Sequence, residues 1–349
     1  MNNLIKMNNR YIGGDTPCYI IAEMSANHAG DFNRAIDIIH AAKESGADCI
    51  KIQTYTPDTM TIDCDNDYFQ IKKGTWKNEK LYDLYNKAYT PWEWQSKLKE
   101  EAEKVGLDFL STPFDQTSVD FLEDLEINFY KIASFELTDI PLIKYIASKG
   151  KPIIISTGMA TLGEIEEAVK AIKEMKNEDI CLLKCSSAYP AIPDDMNLKT
   201  IKNLKETFGV PVGLSDHSLG SVAAITAVAI GASVVEKHFC ISRDIENPDS
   251  SFSMEPNEFR GMVDSIRAAE RAIGKVSYKV SEKEKVSRIF RRSIFAVEDI
   301  GKGDIFDENN IRVIRPAYGL APKYYNDIKG KKATTDIVRG TPLKWSMID

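Results

Sequence analysis

Val212-Gly-Leu-Ser-Asp-His-Ser218 and, one helix-like stretch later (219–230), Ser233-Val-Val-Glu-Lys-His-Phe239 form the passage that decides the fold. Each is a short apolar, β-branched run ending in a polar residue. The segment between them has helical length and is closed by Gly231. Strand, helix, strand with short connections is the unit of a parallel sheet. His217 and His238 end the two strands, and the chain has only four histidines. Two imidazoles at neighbouring strand ends suit one metal with open coordination positions, hence catalysis. Two unrelated polar strand ends fit the spacing equally well.

Outward from this passage the unit repeats. Strand-like runs occupy 19–23, 49–54, 107–112, 129–134, 152–156, 180–185, 212–215 and 233–238. Helix-like stretches occupy 32–45, 91–105, 116–125, 141–148, 162–175, 198–208, 219–230 and 257–273. Gly46, Gly106, Gly150 and Gly231 stand where helices should stop, and Thr90-Pro91 reads as a cap with a proline in the first turn. Eight such pairs predict a (β/α)8 TIM barrel over residues 1–280. A doubly wound sheet is the alternative, though it usually has fewer pairs. The connection 55–89 is long and rich in aromatic and acidic residues, as a substrate lid or rim would be; an insertion packed on the barrel is the other reading. Residues 281–292 begin with a charged stretch lacking barrel periodicity and read as a linker. Residues 293–349 form short strands and turns, a small domain expected to dock on the barrel or on a partner.

Composition narrows the function. The chain has 349 residues, 43% hydrophobic and 28% charged, with a net charge of −7. With no basic block, nucleic acid is not expected as a partner. No apolar segment is long enough for a membrane: the longest, 222–235, is interrupted and short. Met1-Asn-Asn-Leu-Ile-Lys6 has no signal core. The six cysteines lack CxxC spacing and read as reduced core residues, so a cytoplasmic protein is expected.

In a barrel of this kind the strand C-termini hold the active site. Those ends supply Glu23, Lys51, Gln53, Thr112, Lys131, Ser134, Ser156, Ser187, Tyr189, Ser215, Glu236 and the two histidines. Lys51 and Gln53 share a face because strand side chains alternate. Two lysines among hydroxyls suit an anion bearing carboxylate and phosphate. A Schiff-base aldolase would also use an inward lysine, and each lysine alone could be a strand-end residue reaching solvent. His28 is read as a turn residue rather than a third ligand, and His40 as a structural or solvated helix residue.

The ordered set Ile20-Ile-Ala-Glu-Met-Ser-Ala-Asn-His28, Ile50-Lys-Ile-Gln53, Ser111-Thr-Pro-Phe114, Tyr130-Lys-Ile-Ala-Ser134, Ser156-Thr-Gly158, Gly213-Leu-Ser-Asp-His217 and Glu236-Lys-His-Phe239 resembles the sialic acid synthase family. The tail resembles that family's antifreeze-like (SAF) domain. Gln53-Thr-Tyr-Thr-Pro-Asp58, Leu81-Tyr-Asp-Leu-Tyr85, Ala88-Tyr-Thr-Pro-Trp-Glu-Trp94 and Lys184-Cys-Ser-Ser-Ala-Tyr-Pro190 are most similar to the branch that makes pseudaminic acid. Ser187, where neuraminate members usually carry Asn, points the same way.

The resemblance implies condensation of phosphoenolpyruvate with an N-acetylated amino sugar, 2,4-diacetamido-2,4,6-trideoxy-L-altrose in this branch. Water adds at C2 and the C–O bond of phosphoenolpyruvate breaks. It implies that His217 and His238 hold a divalent ion, Mn or Mg, and that Lys51, Thr112, Lys131, Ser134, Ser156, Ser187, Tyr189 and Ser215 grip phosphoenolpyruvate. Glu23 would handle a proton, while Gln53, Glu236 and Asp249 would contact the sugar. Arg315, in Ile314-Arg-Pro-Ala-Tyr-Gly319, would reach a neighbouring subunit's site in a domain-exchanged homodimer. A neuraminate or legionaminate synthase, or a non-catalytic carbohydrate- or ice-binding protein, are the alternatives.

Overall fold

The computed structural model describes residues 4–349, so the first three residues of the opening hexapeptide lie outside the described part. The chain divides into two compact units, Met1–Gly274 and Lys275–Asp349.

The first unit opens with an antiparallel hairpin, β1 (Ile5–Met7) and β2 (Arg10–Ile12). Eight strands follow: β3 (Tyr19–Glu23), β4 (Cys49–Thr54), β5 (Asp108–Pro113), β6 (Tyr130–Ile132), β7 (Ile153–Ser156), β8 (Ile180–Cys185), β9 (Val212–Asp216) and β10 (Val234–His238). Their order in the sheet is β5-β4-β3-β10-β9-β8-β7-β6, and the ladders are parallel. First and last barrel strands pair, with Glu23 opposite His238, and β5 lies beside β6 at the remaining seam. This is the expected eight-stranded TIM barrel. Its outer helices are Phe32–Glu44, Trp92–Lys104, Gln116–Asp124, Ile140–Ala147, Leu162–Glu174, Thr200–Phe208, Val222–Ala229 and Pro256–Ile273. Gly46, Gly106, Gly150 and Gly231 all follow helices with positive φ.

One expected cap is overturned. The helix after the long connection starts at Trp92, with Pro91 at its cap position and no side-chain cap. The Thr90 hydroxyl instead meets His28 Nε2 at 3.3 Å, because His28 is buried and its ring nitrogen needs a partner.

Strand alternation sorts the side chains into two cores. Ile20, Ile50, Tyr130, Ile153, Leu182, Leu214 and Val235 point outward and pack under the helices. Tyr19, Ile21, Cys49, Leu110, Phe129, Ile154, Cys181, Leu183 and Val234 point inward. Ile5, Met7 and Ile12 join this inner core, so the hairpin plugs the N-terminal mouth. Gly213 occupies an inward position where a Cβ would lie 2.4 Å from the Val234 carbonyl oxygen and 2.7 Å from Leu183; only glycine fits there. Five of the six cysteines are buried and all are free thiols. No helix among the described residues is long and apolar enough to cross a membrane.

The second unit has its own core. β11 (Ser293–Ala296) pairs antiparallel with β12 (Ile311–Ile314). Ile294, Ala296, Ile300, Phe306, Ile311, Ile328, Ala333, Ile337 and Leu343 are buried together. The charged stretch before it is a short helix, Glu282–Ser287, capped reciprocally by Ser281 and Glu284.

Candidate active site

The inward alternation that builds the inner core continues upward into polar residues. Two positions beyond Ile21, Cys49, Leu110, Phe129, Ile154, Leu183 and Val234 stand Glu23, Lys51, Thr112, Lys131, Ser156, Cys185 and Glu236. Two positions beyond Gly213 is Ser215. Glu23, Lys51, Thr112, Lys131, Ser156, Ser215, Glu236, His217, His238 and Asp249 are all buried. A ring of polar groups on an apolar floor, at the C-terminal end of the strands, is the expected active-site geometry.

Its centre is a charge network. Lys51 Nζ lies 2.8 Å from Glu23 and 3.6 Å from Glu236 Oε1, and 3.4 Å from the Thr112 hydroxyl. Lys131 Nζ donates to Ser156 Oγ at 2.7 Å and stands 3.9 Å from the same Glu236 oxygen. Ser215 donates to that oxygen at 3.3 Å. Gln53 donates to Glu23 Oε1 and Ser25 Oγ, both at 3.0 Å. Burial alone would depress Lys51, but Glu23 and Glu236 outweigh it and hold its pKa above the ordinary value. Lys131 is depressed, since burial exceeds the pull of Glu236. Burial raises Glu23, so this carboxyl is suited to holding a proton.

Beside the network lies an oxygen-lined pocket. Ser134 Oγ accepts from Gly158 N at 3.0 Å. A Cβ on Gly158 would lie 2.1 Å from Ser187 Oγ and 2.8 Å from Ser134 Oγ. Ser-Thr-Gly therefore ends in glycine so that the two hydroxyls can converge on the backbone. Small anions are held by such sets of hydroxyls, backbone N–H groups and ammonium groups.

The histidines meet on the far side, ring centroids 5.5 Å apart. His217 Nδ1 is engaged by the Ser186 carbonyl at 3.0 Å, and Tyr189 lies over its ring at 4.2 Å. Burial pushes the pKa of His238 well down, which favours the neutral imidazole. His238 Nδ1 is buried without a hydrogen-bond partner. An orphaned buried nitrogen on a neutral ring, beside a second histidine oriented by a carbonyl, fits a shared metal. Among the described residues no cluster of three or more His, Cys, Asp or Glu groups suited to a metal appears, so the protein would supply these two imidazoles and leave other positions to solvent or ligand.

Asp249 borders the same mouth and accepts from Ala26 N at 3.2 Å. His28, expected in a turn, is the buried last residue of a short 3-10 helix, Ser25–His28, and accepts from Gly30 N at 3.1 Å, and His40 pairs with Glu101 on a helix surface. Arg315 is an exposed residue of the second unit.

Three residues of this region were not anticipated. Glu136, two residues past Ser134, has a buried Oε2 without a partner, and burial raises its pKa to about 7. Asp216 and Lys237 have the opposite parity from the site residues and face the helix layer. They form a buried pair at 2.8 Å, and Lys237 also donates to Ser218 O at 2.5 Å. Asp216 accepts from Ser218 N and Oγ at 2.9 and 2.6 Å. The pair ties β9 to β10 directly beside both histidines. Its signal was present in the sequence: two opposite charges at positions where alternation demands apolar residues.

Two outcomes follow. Lys237→Met leaves the buried Asp216 without its counter-charge, held only by Ser218, and should cost about 3–5 kcal/mol, whereas Asp216→Leu combined with Lys237→Met should recover most of the loss. Calorimetric unfolding of both variants checks this, and an equally unstable double variant would refute it. For Glu136, a folded pKa above the ordinary 4.5 means its contribution to stability is full below that value and is lost as pH rises through about 7. Glu136→Gln should therefore gain on the parent across that window in thermal melts; parallel curves would exclude the effect.

Comparison with known proteins agrees with this architecture. Residues 38–278 match the NeuB family and residues 291–349 the SAF domain. The chain is 49% identical over 332 residues to a pseudaminic acid synthase of Campylobacter jejuni subsp. jejuni serotype O:23/36, covering 95% of this chain and 97% of that protein. It is 46% identical over 328 residues to a pseudaminic acid synthase of Helicobacter pylori, covering 94% and 96%. The crystal structure of an N-acetylneuraminic acid synthetase from Leptospira borgpetersenii superposes with a TM-score of 0.73 at 32% identity, covering 82% of this chain and 95% of that one. With both its barrel and its C-terminal unit matched, the chain belongs to the NeuB family of synthases and carries a C-terminal SAF domain.

Proposed function

We propose that this protein is a pseudaminic acid synthase, condensing phosphoenolpyruvate with 2,4-diacetamido-2,4,6-trideoxy-L-altrose and water to give pseudaminic acid and phosphate. The observation that carries the reading is the convergence of Lys51, Lys131 and the Ser134–Gly158–Ser187 hydroxyl pocket in a chain 49% identical over 332 residues to a pseudaminic acid synthase. Identity to the neuraminate synthetase of known structure is lower, at 32%.

In this reading Lys51 and Lys131 neutralise the carboxylate and phosphate of phosphoenolpyruvate. Thr112, Ser134, Ser156, Ser187, Ser215 and Tyr189 orient it so that C3 faces the sugar aldehyde. Gln53, Glu236 and Asp249 hold the sugar. Glu23, its proton affinity raised by burial, exchanges a proton with the water that adds at C2 or with the sugar oxygen. A divalent ion, Mn or Mg, held by His217 and His238, supplies Lewis-acid polarisation of the aldehyde oxygen when bound. All the reactants are soluble metabolites, in keeping with a cytoplasmic enzyme.

The active unit in this reading is a homodimer that exchanges its C-terminal domains, with Arg315 of each chain serving the partner's sugar site. Support comes from the loops after β6, β7, β8 and β9, which leave Phe135, Met159, Ile192 and Leu219 between 54 and 65% exposed. A row of apolar side chains around a polar mouth is the surface a covering domain would bury.

Incubation with phosphoenolpyruvate and a panel of amino sugars, followed by mass analysis, tests the reaction. The trideoxy diacetamido sugar should be turned over in strong preference to N-acetylmannosamine. Chelation should abolish synthesis and Mn or Mg restore it. Equal use of the two sugars would return the chain to the neuraminate synthases, and full activity without metal would remove the two-histidine assignment. Exchange of domains is tested by mixing His217→Ala chains with Arg315→Ala chains, each nearly inactive alone. Activity should return to about a quarter of the parent when half the dimers carry one intact site. Silence from chains shown to exchange would place Arg315 outside the partner's site.

A further inference from the structure

The long connection after β4 contains a small hairpin that crosses the mouth of the barrel. Gln70 bridges Lys80 in antiparallel fashion. Ile71 N donates to Glu79 O at 2.9 Å and Asn78 N to Ile71 O at 2.8 Å. The turn is made at Gly74, whose φ of +86° other residues rarely adopt. The tip lands on two other loops. Trp76 Nε1 donates to Pro248 O at 2.8 Å, immediately before Asp249. The Trp76 ring lies 5.5 Å from that of Tyr189, and the Thr75 hydroxyl donates to the Tyr189 carbonyl. Tyr189 follows β8, and β8 stands four strands from β4 round the barrel (β4-β3-β10-β9-β8). In an eight-stranded barrel that is the opposite wall, so the hairpin spans the opening.

The contacts put Trp76 in a definite place relative to the chemistry. Tyr189 separates it from His217, the centroids running Trp76 to Tyr189 at 5.5 Å and Tyr189 to His217 at 4.2 Å. Phe252 closes the other side of Tyr189 at 5.2 Å. Trp76 is half-buried and belongs to the outer end of an aromatic stack whose inner end is at the reacting centre. Its one polar hydrogen is already committed to Pro248 O. The indole therefore offers a ligand only apolar surface.

We infer that Trp76 is a specificity-determining residue of the sugar site, packing on the end of the sugar remote from the aldehyde and selecting a methyl group there over a hydroxymethyl group. This rests on the proposed pseudaminate reaction, whose sugar ends in a methyl. A hydroxymethyl group placed against a ring with no free donor or acceptor loses its water and gains no partner. A methyl placed there loses nothing and buries apolar area. The hairpin thus makes one end of an otherwise polar site apolar, and the Pro248 bond fixes the ring beside the loop that carries Asp249.

The test is a kinetic comparison of parent, Trp76→Ala and Trp76→Phe, with the trideoxy diacetamido sugar and with its 6-hydroxy analogue, 2,4-diacetamido-2,4-dideoxy-L-altrose, which differs only in carrying a hydroxymethyl for the methyl. Each sugar is varied at saturating phosphoenolpyruvate, and phosphoenolpyruvate is then varied in turn. Trp76→Ala should raise KM for the trideoxy sugar about tenfold and cut its preference over the 6-hydroxy analogue by about the same factor, the range one methyl-sized contact supplies. KM for phosphoenolpyruvate should stay within about twofold, a split that a general loosening of the site would not produce. Trp76→Phe keeps an apolar ring without the Pro248 bond, so it should retain most of the preference. If Trp76→Ala does not fold, Trp76→Phe decides alone: a preference reduced to parity between the two sugars overturns the role of apolar packing. Unchanged sugar KM and preference in Trp76→Ala, with the parent active on the trideoxy sugar, overturns the inference and leaves the reaction standing. A parent that does not use the trideoxy sugar overturns both.

Discussion

Glu236 Oε1 is the point on which the site depends. One carboxylate oxygen stands 3.6 Å from Lys51, 3.9 Å from Lys131 and 3.3 Å from Ser215. An ammonium group buried without compensation loses several kcal/mol of hydration, and two buried close together also repel. Glu236 and Glu23 between them balance both lysines, so two ammonium groups can stand inside a folded barrel before any anion arrives. The lysines do not titrate alike. Lys51, with a carboxylate at 2.8 Å, keeps its proton more firmly, while Lys131, with only the more distant Glu236, is held less firmly. An anionic substrate would add most where compensation is weakest, at Lys131.

Geometry around that charge comes from the strand repeat. A period of two makes each strand present apolar residues to the inner core and then, two residues on, a polar group to the mouth. Because the strands are staggered in register, with Glu23 opposite Lys51 and Gln53 opposite Thr112, groups from different strands come to one level. Two glycines permit the closest approaches. Gly213 lets β9 lie against β10 below the site, and Gly158 lets Ser134 and Ser187 converge above it. Behind the histidines the Asp216–Lys237 pair replaces apolar packing with a buried ionic tie. Such a tie adds little net stability, but its bonds to Ser218 fix the turn from which His217 projects.

The loops divide the work. Short connections after β6, β7 and β9 deliver single residues to the mouth, as the (β/α)8 plan allows. The long connection after β4 crosses to the opposite wall and couples the loops that bear Tyr189 and Asp249. Changes in that one connection can alter the wall around Tyr189 and Asp249 without touching the lysines or the hydroxyl pocket. A family that includes pseudaminic acid and N-acetylneuraminic acid synthases can diversify in this way.

The sequence by itself determined the barrel and most of its polar ring. Both follow from local rules: strands and helices announce themselves by periodicity and glycine stops, and a period of two assigns Glu23, Lys51, Thr112, Lys131, Ser156, Ser215 and Glu236 to one face without knowledge of any neighbour. The identities of the two histidines were legible for the same reason, and the ordered motifs named the family. Only the tertiary structure decided which of these groups touch. That Glu236 is shared by both lysines depends on register between strands 105 residues apart in sequence, Lys131 and Glu236, and register is a property of the closed sheet. Thr90 could not be assigned to His28 rather than to a helix cap, because the competing partner lies 62 residues away. The N-terminal plug and the 70–80 hairpin were missed since three-residue strands and single bridges carry too little pattern to rise above the surrounding loop. Burial did the rest: it left Glu136 and His238 with unsatisfied atoms. Desolvation is set by everything packed around a group, and no stretch of chain contains that information.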